Sequence, residues 1–113
     1  MRQISARQLA DRLAAYAADP SGGARAPFLL DVREPWEYEL CHLPGARLMP
    51  MHTVPLRLGE LDADAEVVVI CHHGARSMQV AMFLERNGFA SVHNLAGGIA
   101  AWARDVDPAM RHY

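Results

Sequence analysis

Val67-Val68-Val69-Ile70-Cys71-His72-His73-Gly74-Ala75-Arg76-Ser77 is the stretch on which the reading of this chain turns. Four consecutive β-branched apolar residues suit a strand buried on both faces of a parallel sheet. A helix-like pattern runs on from Ser77 through Met78, Val80, Ala81, Phe83 and Leu84 to Arg86. The short loop between them opens with a cysteine. Where a buried strand gives way to a helix, the N–H groups of the connecting residues turn inward around a common centre, and the helix N-terminus adds partial positive charge. Such a ring, with Arg76 close by, favours thiolate over thiol, and the thiolate is the nucleophilic form. Cys71 is therefore the candidate nucleophile.

Outward from this unit, strands and helices alternate. Ser5 and Gln8 have the spacing of a capping box, and Leu9, Leu13 and Tyr16 recur behind them, which predicts a helix from Ser5 to about Ala17. Pro20 to Gly23 and Ala24 to Pro27 read as a loop, followed by a buried strand over Phe28 to Val32. Pro35 suits the first turn of a brief helix through Tyr38. Leu43 to Ala46 form a turn into an extended piece at Arg47 to Met49, and Thr53 is placed to cap a helix containing Pro55, Leu56 and Leu58. Beyond the strand at Glu66 to Cys71 and its helix, Gly88 can end that helix in a left-handed conformation. Ser91 to Leu95 is a further strand, and Gly97-Gly98 a tight turn into Ile99 to Ala103. This alternation predicts an α/β fold of three layers, a small, mainly parallel sheet with helices on both faces. No internal repeat or second domain is visible, so residues 1–113 read as one domain.

Composition removes several classes of function. At 113 residues the chain can bury roughly 65% of its unfolded surface and needs no disulfide or metal to fold. Its 51% hydrophobic and 21% charged residues are ordinary for a soluble globular protein. A net charge of -2 supplies no basic field for nucleic acid. All 11 basic residues are arginine, which excludes Schiff-base chemistry and a Walker-type phosphate loop, since both need a lysine amine. No apolar run approaches a membrane span, and the N-terminus lacks the apolar core of a secretory signal. Two cysteines, Cys41 and Cys71, are too few for a disulfide framework and fit a reducing compartment, the cytoplasm.

The chain resembles the single-domain rhodaneses, a family of cysteine sulfurtransferases. Cys71 to Ser77 matches the family loop C-x-x-G-x-R-S, and Leu30-Asp31-Val32-Arg33-Glu34 with Glu37-Tyr38 is similar to its first strand and turn. His42-Leu43-Pro44-Gly45-Ala46 and Asn94 to Trp102 resemble two further markers, in the family's order. Cys41 departs from the pattern, standing where the family usually has Gly or Ala. The loop is one residue shorter between Cys and Arg than that of cysteine phosphatases. A ring of that size suits a sulfur atom carried on cysteine better than a phosphoryl group.

The resemblance implies a rhodanese-like fold and a two-step reaction. Cys71 takes the outer sulfur of a donor such as thiosulfate or another persulfide, and the resulting persulfide passes it to a thiol, a protein cysteine or cyanide. No cofactor is implied. The runner-up is a noncatalytic or regulatory module of the same fold that docks proteins or reports sulfur status.

Around the nucleophile, His72, His73, Gly74, Ala75, Arg76 and Ser77 form the candidate substrate-binding loop, with His72 and His73 facing its entrance either as groups that bind the donor or supply a proton to the leaving group, or as suppliers of backbone N–H alone. Arg76 either attracts an anionic donor or turns inward to pair with Asp31, and the inward role is preferred. Asp31 and Arg33 are expected to support the loop, and together with Glu34 and Glu37 to form an ion-pair network at the first turn. A zinc site from Cys71, His72 and His73 is disfavoured because adjacent ligands converge poorly. Cys41 is expected to be a small buried residue rather than a resolving thiol. Met78 and Met82, one helical turn apart, are expected in the core, and Trp102 should pack the last helix onto the sheet. His42 and His93 are expected to be structural or surface residues.

Overall fold

A computed structural model describes residues 1–22 and 25–113. The loop read at Gly23 and Ala24 therefore lies outside the described residues. Five strands form one sheet in the order β1-β5-β4-β2-β3, and every pairing is parallel. They are β1 (Arg2–Ile4), β2 (Phe28–Asp31), β3 (Arg47–Leu48), β4 (Glu66–Ile70) and β5 (Ser91–Leu95), connected by the helices α1 (Ala6–Ala18), α2 (Pro35–Leu40), α3 (Ala75–Arg86) and α4 (Gly98–Asp105) and a 3₁₀ segment at Met51–Glu60. The α/β class and the layering read from the sequence are thus what the structure shows.

Period-two alternation explains how four apolar residues in a row serve both faces. Val68 and Ile70 join a core with Ile4, Leu9, Leu95, Ile99 and Trp102 on the α1 and α4 side. Val67, Val69 and Cys71 point the other way, into a core with Val80, Ala81, Leu84 and Val54 on the α3 side. The chain runs outward from β2 to β3, then returns to lay β4 on the opposite side of β2. Between β2 and β4 the winding reverses, and the crevice beyond the carboxyl ends of such strands is where open α/β sheets place their ligands. The register sets Asp31 beside Ile70, so Asp31 and Cys71 emerge at that crevice together.

Most boundaries agree with the sequence. Ser5 caps α1 with both bonds of the capping box present, Gln8 N–H to Ser5 Oγ at 3.1 Å and Ser5 N–H to Gln8 Oε1 at 2.9 Å. Trp102 packs at 7% exposure against the sheet.

Three expectations fail. Strand β1 was not expected, because only Ile4 of its three residues is buried and periodicity has nothing to act on. Thr53 does not cap a helix: its hydroxyl donates to the Pro50 carbonyl at 2.7 Å, inside a 3₁₀ segment that has already begun at Met51. Met78 and Met82 are exposed, because α3 turns Val80, Ala81 and Leu84 toward the sheet instead.

Candidate active site

Cys71 follows the last residue of β4, and Gly74 precedes α3 with φ 103°, a left-handed conformation that folds the loop back over the strand end. Gly74 N–H donates to Cys71 Sγ at 3.0 Å, and Ser77 Oγ lies 3.2 Å from the same sulfur. The ring of several inward amides expected from the sequence is thus one amide and one hydroxyl. The outer side of the loop is held by α4, whose Ile99 and Ala100 amides donate to the carbonyls of Cys71 and His72 at 2.9 and 3.0 Å. Gly98 sits where any Cβ would overlap those two carbonyls. The glycine pair therefore provides close approach as well as a turn.

Behind the sulfur lies a buried polar chain. Asn94 Nδ2 donates to the Gly74 carbonyl at 3.2 Å and to Gln3 Oε1 at 3.0 Å, which fixes its amide so that Oδ1 faces Ser77. Ser77 Oγ–H then donates to Asn94 Oδ1 at 2.5 Å. A hydroxyl has one proton. In this arrangement Ser77 offers Cys71 a lone pair, which accepts from the thiol S–H, and stabilising a thiolate requires that proton to turn toward sulfur.

The charged residues pair differently from expectation. Arg76 does not reach Asp31. Its Nη1 and Nη2 donate to Glu37 Oε1 and Oε2 at 2.7 and 2.9 Å, because the Asp31 carboxylate is already filled. Arg33 occupies it, with Nε and Nη2 donating at 2.9 and 2.7 Å and its own amide at 3.1 Å, and both residues are 0% exposed. Burial alone would lower the Arg33 guanidinium, but its bonds to Asp31 and Tyr113 outweigh that and raise it. The Arg76 bonds hold the Glu37 carboxyl at about 2, against 4.5 ordinarily, with further donation from the Tyr113 hydroxyl. Arg76 is raised in turn, chiefly by Glu37. Asp31 and Arg33 thus pair with each other, and neither hydrogen-bonds the loop directly among the described residues. Arg33 reaches it through Tyr113, whose Oη accepts from Nη1 at 2.8 Å and whose ring stacks on His72, while Nη2 donates to the Cys41 carbonyl at 2.6 Å.

His73 and Ala75 are exposed and His72 is half-buried. The His72 ring stacks on Tyr113 at 3.8 Å between centroids and on His73 at 3.9 Å. Burial and the neighbouring His73 lower its pKa, which favours the neutral ring. Cys71 itself is 1% exposed, more enclosed than a loop nucleophile read from sequence would suggest. Cys41 is half-exposed rather than buried, and it packs against the core on the opposite face of the sheet from Cys71. His42 stacks on Tyr38 and His93 pairs with Glu66 at 2.9 Å, both outside the site. Among the described residues no group of three or more His, Cys, Asp or Glu is arranged to hold a metal, and no helix is long and apolar enough to cross a membrane.

Sequence reasoning missed the roles of Tyr113 and Asn94. For Asn94 a signal existed: an Asn two residues after Val92 on one face of a buried strand must find partners. For Tyr113 there was none.

The rhodanese-like domain model matches residues 5–105. A sulfurtransferase of Allochromatium vinosum is 43% identical over 82 residues, 73% of this chain and 77% of that protein. The thiosulfate sulfurtransferase GlpE of Pseudomonas paraeruginosa is 38% identical over 72% of this chain and 73% of its own length. A chloroplastic Arabidopsis thaliana protein with rhodanese-like and PpiC domains is 42% identical, but this chain spans only 30% of it. Among solved structures, a rhodanese-like domain protein from Staphylococcus aureus superposes with a TM-score of 0.77 at 29% identity, covering 90% of this chain and 91% of that one. With the loop, the parallel sheet and these relatives in agreement, the chain belongs to the rhodanese-like domain family.

Proposed function

We propose that the protein is a sulfurtransferase in which Cys71 carries sulfane sulfur as a persulfide. The observation that carries this reading is Cys71 Sγ at the C-terminal end of the central strand, within 3.0 Å of the Gly74 amide and 3.2 Å of the Ser77 hydroxyl, in a loop matching the family pattern. The Cys71 thiolate attacks the outer sulfur of thiosulfate, a new S–S bond forms, and the old S–S bond breaks with its electron pair leaving on sulfite. In the second step an acceptor thiolate attacks the terminal sulfur, the Cys71 S–S bond breaks, and the cysteine thiolate returns. Cyanide in place of the thiolate gives thiocyanate by the same displacement. The Gly74 amide and the N-terminus of α3 favour negative charge on the sulfur through both steps.

In this reading His72, His73, Gly74, Ala75, Arg76 and Ser77 shape the donor site, and Asp31 and Arg33 brace it. The donor is thiosulfate or a small persulfide, the acceptor a thiol or protein cysteine, and no cofactor takes part. The relative named a thiosulfate sulfurtransferase supports that donor class. Residues 1–113 act as one domain, and the cytoplasm is the compartment in which a working thiolate stays reduced.

Intact mass after brief exposure to thiosulfate tests the reading. The expected result is a gain of one sulfur atom, absent from Cys71→Ser and removed by cyanide. No gain, or a gain that persists in Cys71→Ser, would leave the noncatalytic module as the better account.

A further inference from the structure

The single proton on the Ser77 hydroxyl has two claimants. Cys71 Sγ lies 3.2 Å from Ser77 Oγ and Asn94 Oδ1 lies 2.5 Å from it, and one O–H can serve only one of them. Asn94 cannot present its other end to Ser77. The Gly74 carbonyl only accepts, and it takes a bond from Nδ2 at 3.2 Å, so the amide nitrogen faces Gly74 and the oxygen faces Ser77. Gln3 Oε1 takes the second Nδ2 proton at 3.0 Å from β1, where the register sets Gln3 beside Asn94. Gly74 thus acts twice, its amide on the sulfur and its carbonyl on the asparagine that competes with the sulfur. Cys71, Ser77 and Asn94 are each at most 1% exposed, which leaves these bonds little competition from solvent.

We propose that Asn94 is a positioning residue that opposes ionisation of Cys71: it holds the Ser77 proton away from the sulfur and so sets the pH at which the nucleophile becomes available. On ionisation the S–H bond breaks, its proton goes to a base in solution, and the Ser77 hydroxyl turns onto the sulfur. Asn94 Oδ1 then loses its donor in a buried site, and that loss is the brake. The Gly74 amide and the N-terminus of α3 act in the opposite direction. On the loop itself the charged and titratable neighbours are His72, His73 and Arg76, the last paired with Glu37 of α2. Strand β2 brings the Asp31–Arg33 pair and the tail brings Tyr113, while His93 of β5 turns to Glu66, Arg104 of α4 to Asp105, and His52 of the 3₁₀ segment is exposed. Asn94 hydrogen-bonds none of these among the described residues, so changing it acts on the Ser77 proton. The inference rests on the sulfurtransferase reading for its bearing on catalysis, but not for its test.

The test is the pH profile of Cys71 alkylation by iodoacetamide in the full chain, read on the peptide that contains it. Asn94→Leu keeps the size of the side chain and removes its acceptor, so the rising limb should move to lower pH by about one unit, the tenfold in rate that goes with a hydrogen bond to a charged group. In a Ser77→Ala background the same change should leave the limb where it is, because no hydroxyl proton remains to be released. A fold that simply loosened would act alike in both backgrounds. No shift in the first background, a shift to higher pH, or equal shifts in both overturn the proposal. Because Asn94→Leu also strands the Gly74 carbonyl, a second measurement keeps Asn94 in place: the infrared S–H stretch of Cys71 in a Cys41→Ala chain at the acid end of the profile. It should lie below that of an unbonded thiol and rise in Ser77→Ala, since the S–H donates to Ser77 only while Asn94 holds the hydroxyl proton. A band that Ser77→Ala leaves unmoved, or no band at all, overturns the proposal. Sulfur uptake from thiosulfate is measured beside it. If the wild-type chain takes up none, the sulfurtransferase reading fails while the alkylation profile and the S–H band still decide the role of Asn94.

Discussion

Glu37→Gln is the substitution whose cost the structure specifies most directly. The Glu37 side chain is 4% exposed and accepts four bonds, from Glu34 N–H and Arg76 Nη1 on Oε1, and from Arg76 Nη2 and the Tyr113 hydroxyl on Oε2. In glutamine the amide nitrogen replaces an acceptor and faces two donors. Arg76 and Tyr113 hold the carboxyl at about 2 against 4.5 ordinarily. At about 1.4 kcal/mol per pH unit the ionised carboxylate therefore contributes about 3 kcal/mol to folding at neutral pH. For a chain of this length that is a fall in Tm of about 12 °C. Because the folded pKa lies below the unfolded one, the contribution is complete above pH 4.5 and fades as pH falls toward 2. Urea unfolding of wild type and Glu37→Gln at neutral pH and at several points down to pH 3 measures the gap. It should be about 3 kcal/mol at neutral pH and shrink on acidification. A gap that stays constant with pH, or one below about 1 kcal/mol at neutral pH, would refute the claim that the ionised carboxylate is what the site depends on.

Two further outcomes follow from the loop. Ser77→Ala removes the hydroxyl beside Cys71 and leaves Asn94 Oδ1 without its donor, so stability should fall by about 1–3 kcal/mol and sulfur uptake by about tenfold; calorimetry and single-turnover mass measurement check each part. Gly98→Ala forces an L-residue to φ 58° and a Cβ into the Cys71 and His72 carbonyls, so it should cost at least about 2 kcal/mol by chemical denaturation and slow sulfur uptake, because the loop must shift.

Local signals in the chain were read correctly where one residue's neighbours in sequence are also its neighbours in space. The Ser5–Gln8 capping box, the β-branched run at Val67 to Ile70 and the left-handed glycine Gly88 all depend on contacts within a few residues. Choice among distant partners was not legible. Two carboxylates, Asp31 and Glu37, could each take Arg76, and the outcome depended on Arg33 filling one of them from two residues away. Spacing along α3 fits Met78–Met82 and Val80–Leu84 equally, and only the direction in which β4 delivers the helix decides which pair meets the sheet. Tyr113 was beyond reach because its contacts lie 76 and 80 residues away, at Glu37 and Arg33.

The pairing of Arg76 with Glu37 also separates two ways in which the arginine could serve sulfur transfer. A guanidinium has five N–H groups, and here one on Nη1 and one on Nη2 form the bidentate pair with a carboxylate, so the edge that grips an anion end-on is already taken and three N–H groups remain. The structure therefore favours action through the shape of the loop, and a double-mutant cycle distinguishes the two. Arg76→Leu alone should lower kcat/KM for thiosulfate and destabilise the fold by about 3–5 kcal/mol, because it strands the buried Glu37 charge. If the arginine acts through Glu37, the same change made in a Glu37→Gln background should cost far less in both measures, since the partner it served has already gone. If it binds the donor itself, the KM for thiosulfate should rise by the same factor in either background, whatever happens to stability. Equal losses in both backgrounds would return Arg76 to the role of an anion site and would leave the loop's shape to the Gly98 contact and the Asn94–Ser77 chain.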